Sequence, residues 1–147
     1  MCKLSVRFQL TPAVLLIAMA AALTGCSQAD DASAKQVYDD IIKERDSMVT
    51  ILDGIKKVED VDRALTQLED LKDRLVALVL KGKDLKITKS FKQKMDAEQA
   101  AGMVEYRQKL EPVIERLVED PNLKDAFVTR VMPKLQQLEA ALRAEAR

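Results

Sequence analysis

No histidine occurs among the 147 residues of this chain, and the side chains whose spacing could indicate a chemical site are carboxylates, methionines and two cysteines. The lack of histidine removes histidine-based acid–base catalysis and the Ser-His-Asp triad. Two carboxylate pairs, Glu69/Asp73 and Glu111/Glu115, have the four-residue spacing that places both members on one helix face. Such a pair could act as acid and base in a cleft. Because exposed helix faces commonly alternate in charge, we interpret both pairs as ion-paired surface.

Methionine thioethers bind Cu(I), so Met48, Met95, Met103 and Met132 raise the question of a copper site. The four methionines are dispersed along the chain, and each falls on an apolar helical stripe, which favours packing in a core. No P-loop and no Gly-x-Gly-x-x-Gly motif occurs. We therefore expect no enzymatic activity, no metal site and no cofactor.

The chain begins with a basic segment followed by a short apolar one. Lys3 and Arg7 are the only charged residues before residues 10–23, which are apolar apart from Thr11. A bilayer-spanning helix needs about 20 apolar residues, so this segment is too short to span. A basic start, a short apolar run and small residues at its end are typical of a secretory signal peptide.

The end of this leader, Leu23-Thr24-Gly25-Cys26, resembles the lipobox of bacterial lipoprotein signal peptides. The resemblance implies that the thiol of Cys26 receives a diacylglycerol and that signal peptidase II, which recognises Leu23, Thr24 and Gly25, cleaves before Cys26. It also implies that the freed amine of Cys26 is acylated. Residues 1–25 are then a cleaved signal peptide.

The membrane chemistry agrees with this interpretation. One acyl chain binds a bilayer only marginally, whereas two or more anchor a protein stably. Cys2 is the only other cysteine and leaves with the leader, so no disulfide can form within the mature chain. Ser27 follows the acylated residue and resembles the pattern of outer-membrane sorting. The sequence thus predicts a lipid-anchored protein of the bacterial envelope, at the outer membrane and facing the periplasm.

The composition of the mature chain limits its partners. The leader removes two basic residues and no acid, so the net charge of zero becomes −2. This charge gives no basic field for nucleic acid. Glycine and proline number four each in the full sequence and three each after residue 25, and such scarcity favours helix throughout.

Apolar residues recur at helical spacing in four segments after a lipidated cysteine and polar tether at 26–33. The predicted helices cover 34–57, 61–81, 89–119 and 121–144. The strongest stripe lies on the second: Val61, Ala64, Leu65, Leu68, Leu71, Leu75 and Leu78. Helix N-caps are predicted at Asp60, Thr88 and Asp120.

Two prolines, Pro112 and Pro133, fall inside the third and fourth predicted helices, where a missing N–H group kinks a helix. Short connections at 58–60 and 119–121 make neighbouring helices antiparallel. The sequence therefore predicts an all-α, antiparallel bundle of three or four helices over 34–147, with kinked third and fourth helices.

The spacing of apolar and charged residues resembles that of small all-helical bacterial envelope proteins without assigned activity. The resemblance lies in segments 58–65, 105–110 and 119–123. The function we expect is that of a non-enzymatic, membrane-anchored lipoprotein acting through helix-mediated protein contacts. The alternative is a module that binds lipid or another apolar small molecule between its helices. Kinks beside stripes that contain Tyr106, Phe127 and Leu138 suggest a partner-binding half at 103–142.

Overall fold

The computed structural model describes residues 30–146, and this part of the chain is an all-α bundle without strands. The all-α prediction is confirmed. The fourth helix, α4, has three consecutive parts, of which the middle one is π-helical. In chain order the elements are α1 (Asp31–Asp53), α2 (Asp60–Lys83), α3 (Lys89–Glu119) and α4 (Lys124–Ala126, Phe127–Val131 and Met132–Glu145).

Contacts between side chains define an up-down-up-down topology. α1 and α3 run parallel, because Asp31 contacts Thr88 at one end and Asp53 contacts Arg116 at the other. α2 and α4 also run parallel, since Asp62 pairs with Arg130 and Lys83 reaches Glu145. Neighbours in sequence are therefore antiparallel, as short connections require.

The core is organised around α2, which packs against α1 on one side and Met132–Glu145 on the other. Its buried apolar residues recur every three or four positions, so one face is covered along the whole helix. They are Val61, Ala64, Leu68, Leu71, Leu75 and Val79. Leu65 and Leu78, which were predicted in this stripe, are half-buried at its edges. α3 packs on α1 and meets α4 mainly at Lys124–Val131.

The first two helix boundaries differ from the prediction. Residues 31–33, predicted as part of the tether, form the first turn of α1. α1 ends at Asp53 rather than at residue 57, because Arg116 of α3 donates to the Asp53 and Ile55 carbonyls at 3.1 and 2.8 Å. Asp60 does not cap α2. Its Oδ2 instead accepts from the N–H groups of the preceding Lys56 and Lys57, at 3.1 and 3.2 Å, and closes the loop.

The start of α4 also differs, since the helix begins at Lys124 rather than at residue 121. Asp120 caps a turn instead, and its Oδ1 accepts from the N–H group of Asn122 at 2.8 Å. The π-helical part Phe127–Val131 directly precedes Pro133, where an interruption was predicted. The wider π-turn relieves the clash between the proline ring and the preceding turn.

Helix α3 continues through Pro112 to Glu119 without a break. Pro112 lies on the exposed side of α3, so solvent can hydrate the carbonyl group of Gln108 that the proline leaves without a helical donor. Thr88 caps the start of α3, as predicted. Its Oγ1 accepts from the N–H group of Phe91 at 3.2 Å.

Candidate functional site

The predicted acylation site, Cys26, and its recognition residues Leu23, Thr24 and Gly25 lie outside the described residues. The first residue that the structure describes, Asp30, follows Cys26 by four positions. Four fully extended residues span about 14 Å. An acyl group on Cys26 would therefore be attached within about 14 Å of Asp30, whatever path the intervening residues take.

Four hydrogen bonds join Asp30 and Asp31 to the loop between α2 and α3, and we call them the N-terminal clasp. The N–H group of Asp30 donates to the carbonyl of Lys86 at 2.8 Å, and the N–H of Lys86 donates back to Asp30 Oδ2 at 3.2 Å. The next residue, Asp31, is bonded to the same loop through its carboxylate. Thr88 donates from its N–H to Asp31 Oδ1 at 2.9 Å and from its hydroxyl to Asp31 Oδ2 at 2.8 Å.

Thr88 has two roles in the clasp. Its hydroxyl donates to Asp31 while the same oxygen accepts from the N–H of Phe91 and caps α3. A hydroxyl can do both because it carries one donor hydrogen and two acceptor lone pairs. The starts of α1 and α3 are consequently held side by side, at the end of the bundle where the chain from Cys26 enters.

A buried cation, Arg45, lies between α1 and α3 and is only 3% exposed. One guanidinium nitrogen, NH1, donates to the Sδ of Met103 at 3.1 Å, and Nε has no hydrogen-bond partner. The guanidinium also lies over the ring of Tyr106. Within residues 30–146 it forms no ion pair with a carboxylate. The cation is thus held by a thioether and an aromatic face, and it fixes how α1 packs on α3.

Gly102 provides the space that Arg45 needs. A Cβ atom at this position would lie 3.3 Å from the NH2 of Arg45 and 3.9 Å from the hydroxyl of Tyr38. The hydroxyl of Tyr106 is buried and has no partner. Burial raises the pKa of the Tyr106 phenol well above its usual value, and the nearby Arg45 cation offsets only part of this effect. Tyr106 therefore stays protonated and does not provide a base.

Arg45 was not singled out from the sequence, although a signal was present. It lies four residues after Ile41 and three before Met48, and both neighbours are buried on the same face of α1. A charged residue at a stripe position indicates either a buried cation or a gap in the stripe. The sequence does not distinguish a buried cation from a gap in the stripe, because the Tyr106 ring that covers Arg45 belongs to another helix.

The methionines examined in the sequence pack in the core or against it. Met48 and Met95 are buried, and Met103 and Met132 pack half-buried against the core. Of the two carboxylate pairs, Glu69/Asp73 is ion-paired as interpreted, whereas Glu111 and Glu115 are exposed and form no ion pair within the described residues. Glu69 forms ion pairs with Lys134 and Lys72. Hydrogen bonds from Lys134 and then Lys72 lower the pKa of Glu69, which favours its charged form.

An open groove of about 570 Å³ lies between α1 and α2. Its lining includes four charged side chains, which suit polar contacts rather than an apolar ligand. These are Lys43, Asp46, Asp70 and Arg74. Arg74 is held at this groove by Glu44, which accepts from Arg74 Nε and NH2 at 3.0 Å each.

In the part of the chain from Asp30 to Ala146, no group of three or more His, Cys, Asp or Glu side chains is placed to hold a metal ion. No helix in the same part combines the length and hydropathy that crossing a membrane requires. Comparisons with protein-family models, with curated proteins and with solved structures gave no match.

Proposed function

We propose that this protein is a non-enzymatic lipoprotein of the bacterial envelope, anchored through acylated Cys26 and acting through contacts between its helices and a protein partner. The leader that ends in Leu23-Thr24-Gly25-Cys26 supports the anchor. The observation that carries the proposal is the N-terminal clasp. It fastens the chain at Asp30, four residues after Cys26, so an acyl anchor would hold the bundle close to the bilayer.

The apolar residues within 103–142 that a partner could contact are not the ones named from the sequence. Tyr106, Phe127 and Leu138 are buried and already contact the core, so they are not available to a partner. Two valines in the same range are exposed instead: Val104 is 58% and Val128 42% exposed. Exposed apolar side chains on rigid helices suit a helix-mediated contact.

The competing function, binding of an apolar ligand between the helices, would use an enclosed apolar cavity. The groove between α1 and α2 is open and has charged walls, so it does not favour this alternative.

Replacing Cys26 by Ser tests the anchor. Cells expressing the full chain are grown with an alkyne analogue of palmitate, and the protein is captured, probed for label and analysed for its N-terminal residue. We expect the parent to be labelled and to begin at Cys26, and the Cys26→Ser variant to be unlabelled and uncleaved. Cys2→Ser is the matched control and should behave as the parent. Cleavage before residue 26 in the unlabelled variant would contradict the lipoprotein assignment.

Photocrosslinking tests the contact surface. A photoreactive phenylalanine is introduced in cells at Val104 or Val128, and at Ser47 on α1 as the control. We expect a discrete adduct from either valine position and none from Ser47. The adduct should be lost when the other of the two valines is changed to Asp. Adducts of equal intensity from all three positions would show that the contact is not specific to 103–142.

A further inference from the structure

Four lysines lie together at the end of the bundle that carries the N-terminal clasp. The segment 83–92 contains these four lysines and a single acid, Asp84. All four are exposed, and we call them the lysine cluster. They are Lys83, Lys86, Lys89 and Lys92.

The lysine cluster lacks carboxylate partners within residues 30–146. Lys83 donates to the backbone carbonyl of Glu145 at 3.3 Å, and none of the four forms an ion pair there. Lysines along the sides of the bundle do form ion pairs: Lys35 with Asp39, Lys109 with Glu105 and Lys134 with Glu69. Four acids lie at the same end, Asp30, Asp31, Asp84 and Glu145, and the clasp engages the carboxylates of the first two. Together with Lys81 the cluster therefore leaves this end with an excess of one positive charge, carried by ammonium groups that are available to an external anion.

The opposite end of the bundle has the opposite excess of charge. It is formed by the loop after α1 and the turn before α4. With the adjoining helix ends included, residues 53–63 and 116–125 form this end, and they carry seven acidic and five basic residues. The small net charge of the chain therefore combines a positive charge at one end of the bundle with a negative charge at the other.

We propose that the lysine cluster docks on anionic lipid headgroups of the bilayer that holds acylated Cys26. This inference rests on the proposed function. Two observations select the occupant. The clasp bonds Asp30 to Lys86 and Asp31 to Thr88, so the cluster lies at the chain segment that leads to Cys26. Its unpaired positive charge complements anionic headgroups.

The acyl anchor on Cys26 makes docking efficient. Each lysine near an anionic surface strengthens binding about fivefold. Because the acyl chains already hold the bundle at the membrane, docking is an intramolecular step with a high effective concentration. The acidic opposite end is repelled by the same surface. The bundle therefore stands with the lysine cluster toward the headgroups and Asn122 far from them.

Energy transfer in vesicles measures this orientation. The mature, lipidated chain has no free thiol once Cys26 is acylated, so one introduced cysteine carries the donor dye. Gln93, beside the cluster, and Asn122, at the opposite end, are exposed and suitable. The acceptor is a headgroup-labelled lipid. Vesicles contain either phosphatidylcholine alone or phosphatidylcholine with about 30% phosphatidylglycerol.

We expect transfer from the dye at Gln93→Cys to rise in the anionic vesicles, and transfer from Asn122→Cys to stay low in both. At about 1 M salt, where the Debye length is about 3 Å, the rise should disappear. The variant with Lys83, Lys86, Lys89 and Lys92 all changed to Gln should lose it as well. The matched control changes four lysines elsewhere and should keep the rise: Lys43, Lys56, Lys57 and Lys124 to Gln.

The outcomes separate the two proposals. Equal transfer from Gln93→Cys in neutral and anionic vesicles, with acyl groups on Cys26 detected by mass spectrometry, would overturn the docking inference and leave the anchor intact. A four-glutamine variant that keeps both the parent's helical circular dichroism and the rise would also overturn it. A variant with Arg at the four positions should retain the rise. Absence of acyl groups from Cys26 would refute the proposed function itself, and the docking inference with it.

Discussion

The guanidinium carbon of Arg45 lies 5.2 Å from the centre of the Tyr106 ring, and this contact joins α1 to α3 in the interior. Removing a cation from water costs free energy that a carboxylate partner normally offsets. Here the aromatic face and the Met103 thioether replace the carboxylate. The pair therefore specifies which face of α3 meets α1 at some cost in stability.

Changing Tyr106 to Phe should leave the free energy of unfolding unchanged or raise it by up to about 1 kcal/mol, because the phenol hydroxyl is buried without a partner. Changing Tyr106 to Ala should lower it by about 3 kcal/mol, because a buried ring is lost. Urea unfolding followed by circular dichroism measures both. A loss above about 1 kcal/mol in the Phe variant would mean that the hydroxyl is hydrogen bonded.

Gly102 and Arg45 should be energetically coupled. Alanine is favoured over glycine inside a helix by about 1 kcal/mol, but the new Cβ would crowd the Arg45 guanidinium at 3.3 Å. We expect Gly102→Ala to be nearly neutral in the parent and to stabilise an Arg45→Met background by about 1 kcal/mol. A double-mutant cycle on the unfolding free energy gives the coupling. Equal effects in both backgrounds would show that Arg45 does not contact this site.

Acid should weaken the fold partly through Glu69. Ion pairing with Lys134 and Lys72 lowers the pKa of Glu69 below its ordinary value of 4.5. Folding therefore favours the charged carboxylate. Its stabilisation is fully present above pH 4.5 and is lost as the pH falls through the folded pKa.

The Glu69→Gln variant should consequently show a smaller decline in unfolding free energy below pH 4.5 than the parent. Glu111→Gln is the matched control, because Glu111 is exposed and forms no ion pair within the described residues. Unfolding measured across the acid range tests this. Identical declines in the parent and Glu69→Gln would exclude Glu69 as a source of the acid sensitivity.

Thr88→Val should destabilise the clasp end of the bundle. Valine keeps the shape of threonine but removes the oxygen that caps α3 and donates to Asp31, and loss of an N-cap costs about 1 kcal/mol. Thr66→Val, at an exposed position of α2, is the control and should change stability by less than about 0.5 kcal/mol. Hydrogen exchange should quicken at the amide of Phe91 in Thr88→Val only. Unchanged exchange there would show that the cap contributes nothing.

Residue types and spacing predicted the parts of the fold that depend on neighbours in sequence. The α2 stripe follows from the helical period, so Leu68, Leu71 and Leu75 were identified as core and are buried. Thr88 was identified as an N-cap because a threonine before a helical segment bonds to amides a few residues ahead.

Features that depend on the tertiary arrangement could not be predicted in this way. Asp60 has the chemistry of an N-cap, but the path of the loop turns its carboxylate toward the preceding amides of Lys56 and Lys57. Arg116 ends α1 early from a position more than sixty residues away along the chain. The clasp likewise joins residues that are distant in sequence, so neither its partners nor its geometry follows from a local pattern.

The clasp also determines how the bundle would respond to mechanical load. A force applied at Cys26 reaches Asp30 first, and there it divides between α1 and the hydrogen bonds to Lys86 and Thr88. Tension is thereby shared by two chain segments instead of peeling α1 from its first turn. A protein pulled between a bilayer and a bound partner would yield first at these hydrogen bonds, before the apolar contacts of α2 are exposed.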